Sequence, residues 1–158
     1  MREILFRGQT RKKGQKVWMD GTPVDGEWVY GGVLQGVGDF SIIYGSKNQN
    51  DPGEDLQKWC VYTDTLGQYT GLTDKNGKKI FEGDVIKFTD SPFGYSYIGV
   101  VCFNEGSFCI KYEYWKKKKF HRIGQTDKWQ DMGASGIVTY QYEILGNIHD
   151  NPELLENP

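Results

Sequence analysis

An alternation of apolar and polar residues with a period of two recurs along this chain, broken at short intervals by Gly, Asn and Asp. That period places successive side chains on opposite faces of an extended strand and is incompatible with the apolar stripe of a helix. It marks candidate strands at 3–7, 16–19, 27–35, 40–45, 59–63, 67–72, 79–81, 84–89, 97–103, 108–115, 119–123 and 138–146. Composition agrees. Aromatics make up 15% of the 158 residues, Ala134 is the one alanine, and 21 Gly stand against five Pro; such a supply favours short strands joined by turns over helix. The expected fold is all-β, with antiparallel strands, a small and partly closed SH3-like barrel in the C-terminal half, and a short C-terminal helical turn.

The segment from Ile98 to Tyr112 fixes its own register. With Asn104-Glu105-Gly106-Ser107 as the loop, Val101 lies opposite Ile110 and Phe103 opposite Phe108 on one face, leaving Cys102 facing Cys109 on the other. A slip of one residue would split the apolar set. Asn76-Gly77 predicts a tight type I′ turn joining 67–72 to 79–81. Glu82-Gly83-Asp84 predicts a second turn before Val85-Ile86-Lys87-Phe88. Asn151-Pro152-Glu153 carries a helix start, with Asn as cap and Pro at the first position. The stretches from Gly45 to Lys58 and from Gly124 to Gly136 read as long loops.

Charge and cysteine usage narrow the function classes. The formal net charge is −2, so overall charge calls for neither nucleic acid nor an anionic surface. No window supplies the roughly 20 apolar residues of a membrane helix. Met1 to Arg7 returns to charge after three apolar residues, too few for a signal core, so the cytoplasm is expected. Cys60, Cys102 and Cys109 have no Cys-x-x-Cys spacing, which argues against structural zinc and a secreted disulfide framework.

Two local charge runs depart from the average. Residues 111–123 hold six cations and one acid, with Lys116 to Lys119 between Tyr112-Glu113-Tyr114-Trp115 and Phe120-His121-Arg122. Residues 1–19 hold another six cations against Glu3. Cations interleaved with aromatics suit nucleic acid, the charges for phosphates and the rings for bases. A solvated hairpin tip would carry the same lysines. The candidate contact residues are Arg11, Lys12, Lys13, Lys116, Lys117, Lys118, Lys119 and Arg122.

Other chemistries are less well served. The run from Gly31 to Asp39 lacks the Gly-Lys-Ser/Thr ending of a phosphate loop and the third glycine of a dinucleotide fingerprint. Ser96 lies among turn residues, one residue off nucleophile-elbow spacing. His121 and His149 are the only candidate bases, and neither adjoins a Cys or Ser. Glu82 and Asp84, two apart, could share a face as a hydrolase pair, or bind a hard cation with Asp74 and Asn76. Against this, Gly83 breaks the strand between them, and Asp at a turn commonly bonds its own backbone. No catalytic residue, metal or cofactor is expected.

Four motifs carry a family resemblance: Arg2 to Gly8 (REILFRG), Gly26 to Gly31 (GEWVYG), Gly67 to Ile86 (GQYTGLTDKNGKKIFEGDVI) and Tyr142 to Leu154 (YEILGNIHDNPEL). Together they closely resemble the YopX family of phage and prophage proteins. The resemblance implies a mainly β-strand fold, a phage or prophage origin and a bacterial host cytoplasm, and it carries over no catalytic residue. It suggests a strand-rich region over 1–66 packed on the rest, a barrel-like core over 67–150 and a terminal turn over 151–158. The leading expectation is a non-catalytic accessory protein that binds nucleic acid. The alternatives are a protein-binding or self-association module built on exposed Tyr and Trp, and a hydrolase using Glu82 and Asp84.

Overall fold

The computed structural model describes residues 3–12, 26–34, 36, 38–54, 56–131 and 134–156. The candidate strand at 16–19 lies outside them. The chain divides into two units, 1–71 and 72–158, and the fold is all-β, built on two antiparallel sheets.

In the first unit, β1 (Phe6–Arg11), β2 (Glu27–Leu34), β3 (Phe40–Ser46) and β4 (Gln57–Tyr62) precede a 3-10 turn at Thr63–Thr65 and β5 (Gly67–Thr73). With β6 (Lys79–Phe81), the sheet order is β4-β3-β2-β1-β5-β6. Val29, Ile43 and Val61, one from each of three adjacent strands, form the buried centre, with Val33, Trp59 and Leu66 against it. The glycine-rich run takes its place here. Gly31 stands opposite Gly45 across β2 and β3, and a Cβ on Gly31 would lie 2.0 Å from the Tyr44 carbonyl oxygen. Close backbone approach explains that glycine without a phosphate.

β1 begins three residues later than its apolar pattern suggests, because its inward residues are polar. Arg7 is buried with its guanidinium 4.6 Å from the Trp28 ring centre. Gln9 is buried too, and its backbone N–H donates to Thr65 Oγ1 at 2.9 Å.

The second unit continues with β7 (Asp84–Ser91), β8 (Ser96–Asn104), β9 (Ser107–Tyr114), β10 (Lys117–Arg122), β11 (Asp127–Asp131) and β12 (Ala134–Asn147), then a 3-10 turn at Pro152–Leu155. Its sheet runs β10-β9-β8-β7-β12-β11. The last long strand therefore returns to pair with β7, and the sheet curls into the expected half-barrel. The curl carries His121 on β10 to Tyr142 on β12, past the three strands that lie between them in the sheet order, with His121 Nε2 3.1 Å from the Tyr142 hydroxyl. Ile80, Ile86, Phe88, Val101, Ile110, Ile123 and Tyr142 fill the interior.

The β8–β9 register matches the sequence: Val101 faces Ile110, Cys102 faces Cys109 and Phe103 faces Phe108. All three cysteines are free thiols. Asn104 also pairs with Ser107, so the loop shrinks to Glu105-Gly106, both at positive φ. Three expectations are corrected. Residues 127–131 are not loop but β11, paired with β12 from Ala134 to Val138. At the Asn76-Gly77 turn only Gly77 has positive φ; the Asp74 carboxylate accepts the Asn76 and Lys78 N–H groups at 2.8 and 2.9 Å, closing a wider loop than type I′. Asn151 precedes the terminal turn without a side-chain capping bond.

Candidate functional site

The basic hairpin forms where β9 meets β10. Trp115 and Lys116 make a two-residue turn with φ of 52° and 57°, the backbone of a type I′ loop. Lys117 then lies opposite Tyr114, Lys119 opposite Tyr112 and His121 opposite Ile110. Directly opposed residues share a face, so Lys117 and Lys119 flank two tyrosines on the side of the sheet that holds the core. Lys118 and Phe120, opposite Glu113 and Lys111, point the other way. Lys116 to Lys119 and Arg122 are exposed, and among the described residues none of them is within 4 Å of a carboxylate oxygen.

The tyrosines continue an aromatic row rooted in the interior. Phe88 is buried, stacked on His121 with centroids 4.9 Å apart, and 5.1 Å from Tyr112 and 5.3 Å from Tyr97. Tyr97 meets Tyr112 at 5.3 Å and Tyr114 at 5.9 Å, and Tyr114 meets Trp115 at 6.3 Å. The row climbs from a fully enclosed ring to an indole that is 82% exposed.

His121 closes the inner end. Burial pushes its pKa below the usual 6.5, against the opposing pull of Asp127, so the neutral ring is favoured near neutrality. Asp127 accepts a 2.5 Å hydrogen bond from the Tyr140 hydroxyl; burial and that bond drive the Tyr140 pKa strongly upward. The sequence reading gave Tyr140, Tyr142 and Asp127 no role beside His121: Tyr140 and Tyr142 reach it from β12, and Asp127 lies on a strand taken for loop. Among the described residues, neither His121 nor this network shares a hydrogen bond with a thiol or serine.

The N-terminal basic residues have other partners. Arg11 lies 3.9 Å from Glu27 and Lys12 2.6 Å from Asp64. Glu27 also pairs with Lys47; hydrogen bonds from Lys47 and Thr10 hold its carboxyl below the usual range. A groove of about 430 Å³ beside Lys12 is lined by Asp39 and Asp64, the wrong sign for phosphate. Lys13 lies outside the described residues.

The carboxylates at the turns are engaged with backbone. Asp84 is buried and accepts the Phe81 N–H at 2.8 Å. Asp74 accepts the Ile144 N–H as well, at 3.3 Å. Burial alone would raise the Asp74 pKa, but the bonds from Lys78, Asn76 and Ile144 outweigh it and hold the value below 3.8. Ser96 shares a 2.8 Å hydrogen bond with Thr89. Among the described residues, no three His, Cys, Asp or Glu side chains gather to hold a metal ion, and no helix is long and apolar enough to cross a membrane.

A family model described as YopX protein matches residues 24–156. The chain belongs to the YopX family. No curated protein matches it. The YopX match takes in the lysine run and starts after both the opening Arg2–Gly8 motif and the basic stretch that follows it. The matched motifs serve the fold. Asp74 ties the turn after β5 to β12, where Lys75 also donates its backbone N–H to the Tyr142 carbonyl at 2.9 Å. Gly83 donates to the Val101 carbonyl and accepts from Ile148. Asn147 Oδ1 accepts the His149 and Asp150 N–H groups, which shapes the terminal turn.

Proposed function

We propose that this YopX-family chain is a non-catalytic nucleic-acid-binding protein of phage or prophage origin, acting in the bacterial cytoplasm through its β9–β10 hairpin. The observation that supports this reading most is the row of exposed cations without carboxylate partners among the described residues, beside exposed aromatic rings. A lysine already paired with a carboxylate must break that contact to take a phosphate, whereas Lys117 and Lys119 exchange only water and counterions. The contact set therefore centres on Lys116, Lys117, Lys118, Lys119 and Arg122, with Arg11 and Lys12 contributing little.

The test is binding across a salt series. Affinity should fall with log salt, and removing Lys117 and Lys119 together should lower the slope by about 0.7 to 0.9 per lysine. No binding at low salt, or an unchanged slope, would overturn the proposal. Lysines on an edge strand also repel other edges. Self-association of the double variant, seen by light scattering with nucleic-acid affinity intact, would assign the run to that duty instead.

A further inference from the structure

Resting on that reading, we infer that the hairpin takes single-stranded nucleic acid, with bases stacked on Trp115, Tyr114 and Tyr112 and phosphates held by Lys117 and Lys119. Three features of the hairpin lead there.

The first is the turn. Type I′ loops are normally built from Asn and Gly because both central residues need positive φ. Here a tryptophan holds φ 52° and a lysine 57°, a region where side chains with a Cβ are strained. The strain places an 82% exposed indole at the tip, where it contributes little burial. Glu105 also holds positive φ, at 47°, but beside Gly106; the 115–116 turn holds it at two residues with no glycine between them, and strain kept at such an exposed tip points to use there.

The second is spacing. Tyr112 and Tyr114 are two residues apart on one strand, about 6.8 Å at the usual rise. Bases along one strand of a duplex are about 3.4 Å apart and cover one another. Rings set at twice that distance can stack only on bases already drawn apart, as in a single strand. The contacts of Phe88 with Tyr97 and Tyr112 hold the inner rings in place, so the platform is ordered before the strand arrives.

The third is shape. A two-stranded ribbon can enter a major groove, but β9 is paired with β8 from Tyr112 to Ser107. Only the tip beyond Tyr112 projects from a wider sheet. That leaves a surface suited to laying a flexible strand along Lys117 and Lys119 with its bases turned toward the rings.

The experiment compares labelled oligothymidylate, a duplex of equal length and polyphosphate as ligands of the full chain at one salt concentration. The single strand should bind about tenfold more tightly than the duplex, and Trp115→Ala should weaken it about tenfold with the salt slope unchanged. Trp115→Asn separates folding from binding: Asn tolerates the turn, so the variant should unfold at the same or higher temperature while losing affinity. If all three polyanions bind alike and Trp115→Ala is neutral, the hairpin reads charge alone; this inference then falls while nucleic-acid binding stands. If none binds at low salt, both fall.

Discussion

The two basic segments of this protein, alike in charge balance, differ in what stands opposite them. Arg11 on β1 faces Glu27 on β2, and Lys12 reaches Asp64. Lys117 and Lys119 on β10 face Tyr114 and Tyr112. Arg11 and Lys12 are thus neutralised in one unit, while among the described residues Lys117 and Lys119 in the other have no carboxylate within 4 Å; what the fold sets opposite each cation decides which. The units differ inside as well. The N-terminal unit buries Arg7 and Gln9 beside a small aliphatic centre, whereas the C-terminal unit packs Phe88, His121 and four tyrosines around one core.

The contrast in packing carries the largest expected effect. Phe88→Ala should lower the unfolding free energy by about 3–5 kcal/mol, measured by denaturant unfolding, and should loosen Tyr97 and Tyr112 with it. A loss under about 1 kcal/mol would show that the aromatic row does not depend on its root. Next comes Asp74→Asn, which disturbs three backbone N–H bonds and should cost about 1–3 kcal/mol. Its pH dependence has a defined sign. Because the folded pKa lies below the unfolded one, the carboxylate stabilises fully above about pH 4 and its contribution is lost as pH falls through the folded value. The gap between parent and variant should close under acid.

His121 sharpens the comparison in a higher window. Its folded pKa is depressed below 6.5, so stability is complete above that pH, falls as pH drops toward the folded value and then levels off. His121→Gln should remove that loss, so that parent and variant unfolding temperatures converge in the acid range. The smallest effect belongs to the N-terminal unit: Lys12→Ala should change stability by under about 1 kcal/mol, as exposed pairs do, and leave nucleic-acid affinity unaltered. A large drop in affinity from Lys12→Ala would erase the distinction between the two segments.

The parts legible in sequence were those with local causes. The β8–β9 register followed from its apolar face, and the Glu82-Gly83-Asp84 turn from its glycine, at φ 83°. β11 was missed because Asp127-Lys128-Trp129-Gln130-Asp131 lacks an apolar face of its own; its partner β12 supplies the pairing. β1 was misplaced because an alternation of apolar residues cannot register a buried Arg7 whose guanidinium lies over the Trp28 ring. The site was legible as a list of cations and illegible as a surface, since the acids that neutralise Arg11 and Lys12 come from residues 27 and 64.

By itself the sequence determined the all-β class, the family and most turns, because steric preference and a period of two act within a few residues. Tertiary structure alone decided which lysines keep an available charge, which rings line up beside them and that β12 lies between β7 and β11. Those depend on strands far apart in the chain meeting in one register, and registers are set by how the whole core packs.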